Sequence, residues 1–508
     1  MTTPIFKNLL HVVRRFRLAT TLNVLGLSVA FASFMIIMMQ LNFHFGFDRF
    51  HKDSDNIFRL EMTAIWGEGY AATFSRPFAE RFIASSSHIV SGALTSGRFE
   101  QQSFFVERDN QRHFFRGNRI NVTPEFADVF TFDFVEGGAA ALRMPDHIMI
   151  PQSLARKLFG NESAIGKQLV FEAWGYIESR MVGAVYRDFP DNSIFANYIF
   201  FSTPEEWQRD NWNSTMFNLF LRVNNASNAD LLIDNFKRHF DGREAWGENF
   251  TWEESGRRMR FTALSDIHFT TDVVWDFGIP KANIQTLLIL LAIAIIIIVI
   301  AIINFTNFST ALTPMRIRNI NTQRVFGAQQ RTIRWILVVE AIVFSFVSFL
   351  VAILLVNLFS SSPLANLMEI DLSLAANLSV IIGVALVAIV VGILAGLYPS
   401  RYMTSFAPAL ALKGNWGLSP KGKRLRNTLI GIQFVASFAL IICTSFMYLQ
   451  NRFMQHSNLG YDTDAVITVN ISRIQQHRDV FTHQLRQHSW IKPIFRIRKN
   501  SLSLSCKS

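Results

Sequence analysis

The stretch LLILLAIAIIIIVIAII at residues 287–303 decides the fold, because every one of its residues is Leu, Ile, Val or Ala. The surrounding segment carries no charge between Lys281 and Arg316. At a rise of about 1.5 Å per residue, a helix through this segment is long enough to cross a hydrocarbon core of about 30 Å. The sequence therefore predicts a membrane-spanning helix here.

Four other stretches have the same character, so we expect a bundle of about five transmembrane α-helices. Only one of the four contains a charged residue, Glu340. The first is too long for the apolar part of a signal peptide and lacks a small-x-small cleavage site, which favours a retained helix. The four stretches lie near residues 20–41, 335–358, 372–397 and 427–450.

The net charge of +11 on this 508-residue chain comes from segments next to the predicted helices. Fifteen of the 49 Lys and Arg residues lie before the first helix, between the second and third, or between the fourth and fifth, and no Asp or Glu lies among them. The other 34 basic residues are outnumbered by 38 acidic ones. Cytoplasmic loops carry such an excess of Lys and Arg, so these three segments are predicted to be cytoplasmic. A membrane therefore explains the positive charge, and nucleic acid is not an expected partner.

This sidedness predicts how the chain is organised. The large domain on the outer side contains no cysteine, so it folds without disulfides, and about 240 residues suffice to bury a core. The predicted order is a cytoplasmic N-terminus at 1–19, the first helix at 20–41, an extracytoplasmic domain at 42–281, a helical membrane region at 282–397 with helices two to four and the cytoplasmic loop 308–334, a cytoplasmic loop at 398–426, the fifth helix at 427–450, and the start of a second extracytoplasmic domain at 451–508.

The pattern of the outer domain is typical of an α+β fold. Aromatic and β-branched residues predict strands at 58–67, 180–189 and 217–225, and the segment 153–161 predicts a helix that Gly160 ends. Its many phenylalanines are expected in the core rather than in a ligand cage.

The segment FGNESAIGKQL at 159–169 contains the pair Gly-Lys that also occurs in nucleotide-binding loops. A P-loop has four residues between its first glycine and Gly-Lys, followed by Ser or Thr. Here five residues separate Gly160 from Gly166, and Gln168 follows Lys167. We therefore expect a structural turn, on the side of the membrane where ATP is absent.

The loop MRIRNINTQRVFGAQQRTIRWIL at 315–337 predicts a basic amphipathic helix that ends at Gly327, followed by a turn. Two interpretations are open: a helix that lies on anionic headgroups, or a docking element for a cytoplasmic partner. A charge within the bilayer is costly, so Glu340 is a candidate functional acid, although near the cytoplasmic end it can snorkel or pair with a neighbouring arginine.

Several motifs resemble those of the MacB/FtsX-type permeases of ATP-binding cassette systems, especially the long, paired-half members of the Bacteroidetes. The resemblance extends from near residue 7 to about residue 493. The motifs are NVLGLSVA (23–30), FDRFHKDSDNIFRL (47–60), PEFADVFTFDFVEG (124–137), SLARKLFGNESAIGKQL (153–169), MVGAVYRDFPDNSIF (181–195), LSDIHFT (264–270), MRIRNINTQRVFGA (315–328) with Glu340, and GLYPSRYMTSFAPALALKGN (396–415).

The resemblance implies a permease subunit of an inner (cytoplasmic) bacterial membrane, with a cytoplasmic N-terminus and a periplasmic MacB-like core domain. It implies export, or transmission of conformational change, driven by a separate cytoplasmic ATP-binding subunit. Other implied partners are a second permease half or a second copy of the chain, and a periplasmic adaptor. No cofactor, metal or ATPase activity of its own is implied. The residues implied in docking are Arg316, Arg318, Arg324, Gly327 and Ala328.

Two features depart from the family pattern. Asn319 stands where family members usually carry an acid, so a salt bridge made there is absent. The segment 494–508 has no family pattern, and we expect a truncated or frameshifted product.

Two other classes of function compete with this interpretation. A membrane-anchored extracytoplasmic sensor or binding protein needs neither five helices nor transport, but its usual signalling domain does not fit the short inner loops. An intramembrane enzyme needs paired polar groups in the bilayer, and beyond Glu340 the predicted helices offer only scattered Asn, Gln, Ser and Thr. The twelve histidines show no metal-ligand spacing within a helix, and we interpret His268 as structural.

Overall fold

The computed structural model describes residues 17–64, 68–96, 100–108, 110–173, 176–276, 278–368, 370–405, 420–457 and 478–488. The predicted N-terminal segment up to residue 16, residues 406–419 of the loop 398–426 and most of the segment 451–508 lie outside these described residues. The helices are α1 (Arg17–Phe45), α2 (Arg76–Ala84), α3 (Phe126–Val129), α4 (Gln152–Phe159), α5 (Ala229–His239), α6 (Arg243–Trp246), α7 (Leu264–Ile267), α8 (Ile284–Ala311), α9 (Thr313–Val325), α10 (Gln330–Ser360), α11 (Leu378–Thr404), α12 (Pro420–His456) and α13 (Arg478–Arg486).

Five of these helices, α1, α8, α10, α11 and α12, are long and apolar enough to cross a membrane, as the sequence predicts. Four of them form a bundle, in which α1 packs on α8 and α10, and α11 packs on α8 and α10. The core between them consists of apolar side chains from all four, such as Phe31, Ala301, Phe349 and Val391. The fifth, α12, contacts α8 and exposes its side chains along the described span from Ile430 to His456.

Small residues bring α10 and α11 close together. A Cβ added at Gly392 would lie 2.6 Å from the Cα of Ile342, and one at Gly396 would lie 2.8 Å from the Cβ of Ala341. The hydroxyl of Ser345 donates a hydrogen bond of 2.6 Å across the interface to the carbonyl of Ala388. In lipid, helix association is stabilised mainly by close packing at small residues and by interhelical hydrogen bonds. The interface between α10 and α11 has both and therefore stabilises the bundle.

In the sequence, the outer domain follows α1 and precedes α8. It is built on a 14-stranded sheet. Its strands follow the order β11-β8-β10-β9-β5-β6-β4-β12-β1-β2-β14, with β3, β7 and β13 as side branches. The strands are β1 (Ile57–Thr63), β2 (Tyr70–Ala71), β3 (Thr73–Phe74), β4 (Ile89–Ser96), β5 (Glu100–Arg108), β6 (Gln111–Val122), β7 (Phe134–Gly137), β8 (His147–Pro151), β9 (Gln168–Ala173), β10 (Tyr176–Tyr186), β11 (Ile199–Ser202), β12 (Phe217–Val223), β13 (Met259–Ala263) and β14 (Val273–Val274).

Six of the strands close into a ring, because β11 pairs with β8 on one side and in parallel with β6 on the other. The core associated with this ring contains Phe104, Ile150, Phe171 and Phe201, together with Leu158 from α4. Strands β4, β12, β1 and β13 form a second layer against α2 and α5, with a core that includes Phe78, Phe82 and Phe236. The three predicted strands overlap β1, β10 and β12, although residues 65–67 of the first lie outside the described part of the chain. The predicted helix ending at Gly160 is confirmed, and the domain is α+β as expected.

An aromatic cluster joins the two layers and continues toward the membrane. Phe130 has its ring centroid 4.6 Å from Phe126, 4.8 Å from Phe195 and 5.3 Å from Phe220. The same buried cluster includes Phe47, immediately after α1. The phenylalanines of the domain therefore serve mainly as core, as predicted.

Candidate functional site

The basic helix α9 ends in a turn that requires glycine. Gly327 has φ +93°, in the left-handed region that glycine adopts without strain. Its N–H donates to the carbonyl of Arg324 at 3.0 Å, and the N–H of Ala328 donates to the carbonyl of Gln323 at 3.0 Å. The helix terminator predicted at Gly327 is confirmed, and both residues act through their backbone to redirect the chain into α10.

Arg316 and Glu340 form an ion pair that links α9 to α10. Their Nη2 and Oε2 atoms are 2.5 Å apart, and both side chains are largely buried. They border a cavity of about 40 Å³ between the inner ends of α1, α8, α10 and α11. Such a cavity has room for a few water molecules, which can solvate the pair. Glu340 therefore pairs with an arginine, as one interpretation of the sequence has it, and that arginine is 24 positions away.

Thr404, the last residue of α11, accepts hydrogen bonds from three polar side chains. Its carbonyl accepts from Gln330 Nε2 at 2.7 Å and from Arg324 Nη1 at 3.3 Å, and its hydroxyl accepts from Arg334 Nε at 2.8 Å. Positive groups at a helix C-terminus satisfy free carbonyls and complement the helix dipole. These contacts fix the start of α10 and the end of α9 against α11.

The end of α9 also presents apolar side chains to the exterior. Phe326 is 86% exposed and Val325 is 61% exposed. A small cluster of Ile320, Ile333 and Met403 anchors the opposite side of the element. Sequence reasoning missed Phe326, although an apolar pair directly before the turn glycine of a basic helix was a usable signal.

The docking residues proposed from the sequence thus differ in their surroundings. Arg316 and Arg324 make contacts within the chain, and Gly327 and Ala328 shape the turn. Arg318 lies in α9, and its side chain is outside the described part of the structure. Asn319, which stands where an acid is expected from the family pattern, is exposed.

A second polar cluster lies at the membrane-facing base of the outer domain. Arg59 on β1 is fully buried and binds Glu61 at 2.5 Å and Asp276 at 2.9 Å. Arg260 binds the second oxygen of Glu61 at 2.8 Å, and Lys281 binds Asp276 at 2.6 Å. Asp272, which pairs with Arg260 at 2.7 Å, completes a set of three cations and three carboxylates. This network ties the sheet to the segment that leads into α8.

The segment after α1 holds two buried titratable groups with shifted pKa values. Burial raises the pKa of Asp48 to about 7, although Ser193 and the backbone of Ile194 donate hydrogen bonds to its carboxylate. Burial lowers the pKa of His51 to about 3. Burial therefore favours the neutral form of both side chains. His51 Nε2 and Asp48 Oδ1 are 3.8 Å apart. Ser193 bonds to Asp48 and not to His51, so the three residues do not form a nucleophile with its base.

The segment at Gly166 and Lys167 is a turn between α4 and β9, as predicted. The N–H of Gly166 donates to the carbonyl of Val182 at 2.9 Å, and Lys167 pairs with Glu162. Within the described residues, no group of three or more His, Cys, Asp or Glu side chains could hold a metal ion.

Comparison with known proteins identifies the two regions of the chain. The MacB-like periplasmic core domain family matches residues 20–239, and the FtsX-like permease C-terminal family matches residues 291–408. No curated protein matches the chain significantly.

Several solved structures are similar to part of this chain. They include a domain of a putative permease protein from Porphyromonas gingivalis, with 18% identity, 47% of this chain and 98% of that chain covered, and a TM-score of 0.34. The periplasmic region of MacB from Actinobacillus actinomycetemcomitans has 11% identity over 42% of this chain and 91% of that chain, with a TM-score of 0.29. The extracellular domain of the noncanonic ABC-type transporter YknZ from Gram-positive bacteria has 13% identity over 41% of this chain and 100% of that chain, with a TM-score of 0.28.

The two family matches follow each other along the chain, the first covering most of the outer domain and the second covering α9, α10 and α11 with most of α8. They agree with the motifs noted in the sequence and with the division into a helical bundle and an outer domain. The chain belongs to the MacB/FtsX-type permeases of ATP-binding cassette systems.

Proposed function

We propose that this permease subunit receives ATP-driven motion from a separate cytoplasmic subunit at the α9–α10 turn and passes it to the outer domain, for export or for movement of that domain. The observation that carries the proposal is the anchoring of α9. The helix is fixed to α10 by the Arg316–Glu340 pair and, at its end, to α11 by Thr404, while Phe326 projects outward. A force applied at Phe326 therefore reaches two membrane helices without an intervening flexible segment.

The charge distribution supports the orientation of this assembly. The turn lies in one of the three segments that contain basic and no acidic residues, which favours the cytoplasmic side of a bacterial inner membrane. The N-terminus is then cytoplasmic and the outer domain periplasmic. On this orientation the chain performs no ATP hydrolysis, since Lys167 and its turn face away from cellular ATP.

Within this proposal the residues of the loop have separate tasks. Exposed aromatic side chains supply much of the binding energy at protein interfaces, so Phe326, assisted by Val325, contacts the ATP-binding subunit. Arg316, Arg324 and Glu340 position the helix. Arg318, Gly327 and Ala328 remain part of the proposed docking element, Gly327 through the geometry of its turn.

A complete assembly contains a second permease half or a second copy of this chain, with a periplasmic adaptor as a further proposed partner. The exposed apolar length of α12 supports a further helical partner or lipid contact in the bilayer. Neither partner is needed for the test of docking.

Co-purification tests the docking role. The full chain is expressed with an ATP-binding subunit of a MacB/FtsX-type system from the same bacterium, and the bound fraction is measured for wild type and for Phe326→Asp. We expect at least about a tenfold loss of binding, because truncated or charged hot-spot residues cost more than about 1–2 kcal/mol. Phe114→Asp is the matched control, since Phe114 is 64% exposed on β6 of the outer domain and is expected to leave binding unchanged.

Two further results bear on the proposal. The chain purified alone is expected to hydrolyse no ATP, and the complex is expected to do so. Undiminished binding by Phe326→Asp, or an equal loss in Phe114→Asp, contradicts docking at the α9–α10 turn.

A further inference from the structure

Three motifs that are far apart in the sequence meet where α1 leaves the membrane. The first follows α1 and contains Asp48, the second contains Asn192 and Ser193, and the third contains His268. The docking function uses none of them. Their contacts with one another therefore call for a separate explanation.

The loop around Asn192 binds the end of α1 directly. The side-chain amide of Asn192 donates to the carbonyl of Gly46 at 3.0 Å, and the backbone carbonyl of Asn192 accepts from the N–H of Asp48 at 2.9 Å. Ser193 donates to Asp48 Oδ1 at 2.6 Å. Asp48 holds φ +55°, in the left-handed region that is uncommon for residues other than glycine and that Asp adopts more often than most. The outer domain is thus rigidly attached to α1.

His268 lies between this attachment and the segment that leads into α8. Its Nδ1 is 2.8 Å from the carbonyl of Pro280, and its Nε2 is 2.9 Å from Nδ1 of His44 on α1. The ring stacks on Phe47 with centroids 3.6 Å apart and planes 7° from parallel. The backbone carbonyl of His268 also accepts from the N–H of Ala282 at 2.9 Å, immediately before α8.

The hydrogen-bond partners determine the tautomers along this chain of groups. A carbonyl can only accept, so His268 Nδ1 donates to Pro280 and His268 Nε2 accepts from His44 Nδ1. His44 Nε2 then accepts from the amide of Gln40, 2.8 Å away. One unbroken series of donors and acceptors connects α1 to the start of α8, and it requires both imidazoles to be neutral.

We propose that His268 is a positioning residue that ties the outer ends of α1 and α8 to each other through the base of the outer domain. Its two ring nitrogens bind one helix segment each, so the two helices cannot separate on the outer side without breaking one of these bonds. The consequence for transport rests on the proposed function: the domain then moves with both helices as one body. The hydrogen bonds of His268 to the two helix segments lie within this chain and do not depend on a partner subunit.

The surroundings of His268 keep the imidazole neutral. Burial is the main cause that lowers its pKa to about 4. The hydrogen bond to Pro280 opposes this shift, and the charged or titratable groups that face the ring, His44 on α1 and Lys281 before α8, contribute to the lowering. Lys281 is itself paired with Asp276. At neutral pH the ring therefore holds the tautomer that both bonds need.

Distance measurement between spin labels tests the tie. Labels are placed at Asn42→Cys and Gln285→Cys, both exposed, in the full chain carrying Cys443→Ser and Cys506→Ser. The protein is studied in lipid nanodiscs without an ATP-binding subunit, so failure of the docking proposal does not affect the outcome. We expect one narrow distribution of label-to-label distances for wild type. His268→Phe keeps a ring against Phe47 and removes both bonds, and should raise the separated population about five-fold, the effect of one net hydrogen bond.

Further variants separate a tie from simple packing or anchoring. His44→Phe removes the same bond from the α1 side without touching the domain core, so it should match His268→Phe, and the double variant should add nothing. His268→Asn keeps an amide at the Nδ1 position, near Pro280, and should still behave like His268→Phe, because a tie needs both ends. His88→Phe, at an exposed histidine of the same domain, is the control and should match wild type.

Three results would overturn the proposal. A wild-type distance distribution for His268→Phe would reduce the residue to a packing role. A wild-type distribution for His268→Asn would reduce it to an anchor of Pro280. Additive effects of His44→Phe and His268→Phe would mean that the two side chains act independently.

Discussion

Replacement of Arg59 by methionine should destabilise the outer domain substantially. The Arg59 side chain is 0% exposed and bonds to two carboxylates, with four N–H to oxygen contacts of 2.5–3.1 Å. Removing one partner from a buried ion pair costs about 3–5 kcal/mol, because the other charge stays buried without compensation. Here Glu61 keeps Arg260 and Asp276 keeps Lys281, so we expect the lower end, about 3 kcal/mol.

The assay is thermal unfolding of the full chain in detergent, followed by tryptophan fluorescence. For a domain of this size, 1 kcal/mol shifts the midpoint by about 2–4 °C, so Arg59→Met should lower it by about 6–12 °C. The control is Arg81→Ala, which removes the ion pair with Glu244 at 2.5 Å, where the two side chains are 48% and 57% exposed. Exposed pairs contribute at most about 1 kcal/mol.

A second substitution checks the physical cause. Glu61→Leu added to Arg59→Met removes the carboxylate that the first change left with one partner, and should recover about 1 kcal/mol or more. The reasoning is refuted if Arg59→Met shifts the midpoint no more than Arg81→Ala does.

Three other predictions follow from burial and packing. Because the folded chain holds Asp48 protonated up to a pKa of about 7 and the unfolded chain only up to about 4, the stability of wild type relative to Asp48→Asn should fall as pH rises through this interval, as unfolding midpoints at several pH values will show. Phe130→Ala should cost about 3–5 kcal/mol in the same assay, whereas Phe114→Ala, at an exposed ring, should cost little. Gly392→Val should prevent close packing of α10 and α11 and reduce the yield of monodisperse protein, whereas Gly383→Val, whose added Cβ would contact no atom within 4 Å, should not.

Hydropathy and charge were sufficient to predict the membrane helices, because both signals are local and the bilayer imposes one length on every span. Local chemistry also predicted the turn at Gly327 and the end of the helix at Gly160, since each requires a glycine conformation. For Glu340 the sequence offered a partner among nearby arginines but did not single out Arg316. That choice depends on how α9 folds back against α10, which no local pattern encodes.

In the outer domain, contacts between residues far apart in the sequence could not be predicted from local patterns. Closure of the six-stranded ring depends on parallel pairing of Ile199 with Arg119 and of their neighbours, about 80 positions apart. The sequence indicated a structural role for His268 but not its partner His44, which is 224 positions away, so that only the fold brings the two together. The residue type alone does not show that Phe326 is exposed; the local signal is its place in an apolar pair directly before the turn glycine.

The pairing of β1 with β13 has a consequence for how this architecture can diversify. Met62 lies opposite Met259 and Phe58 opposite Ala263, so the first strand of the outer domain and a strand near the end of the domain are immediate neighbours. A module whose two ends meet resembles an insertion into a helical hairpin, and such insertions are exchanged with little disturbance to the host. Recombination of this kind can replace the outer domain while the membrane helices stay the same.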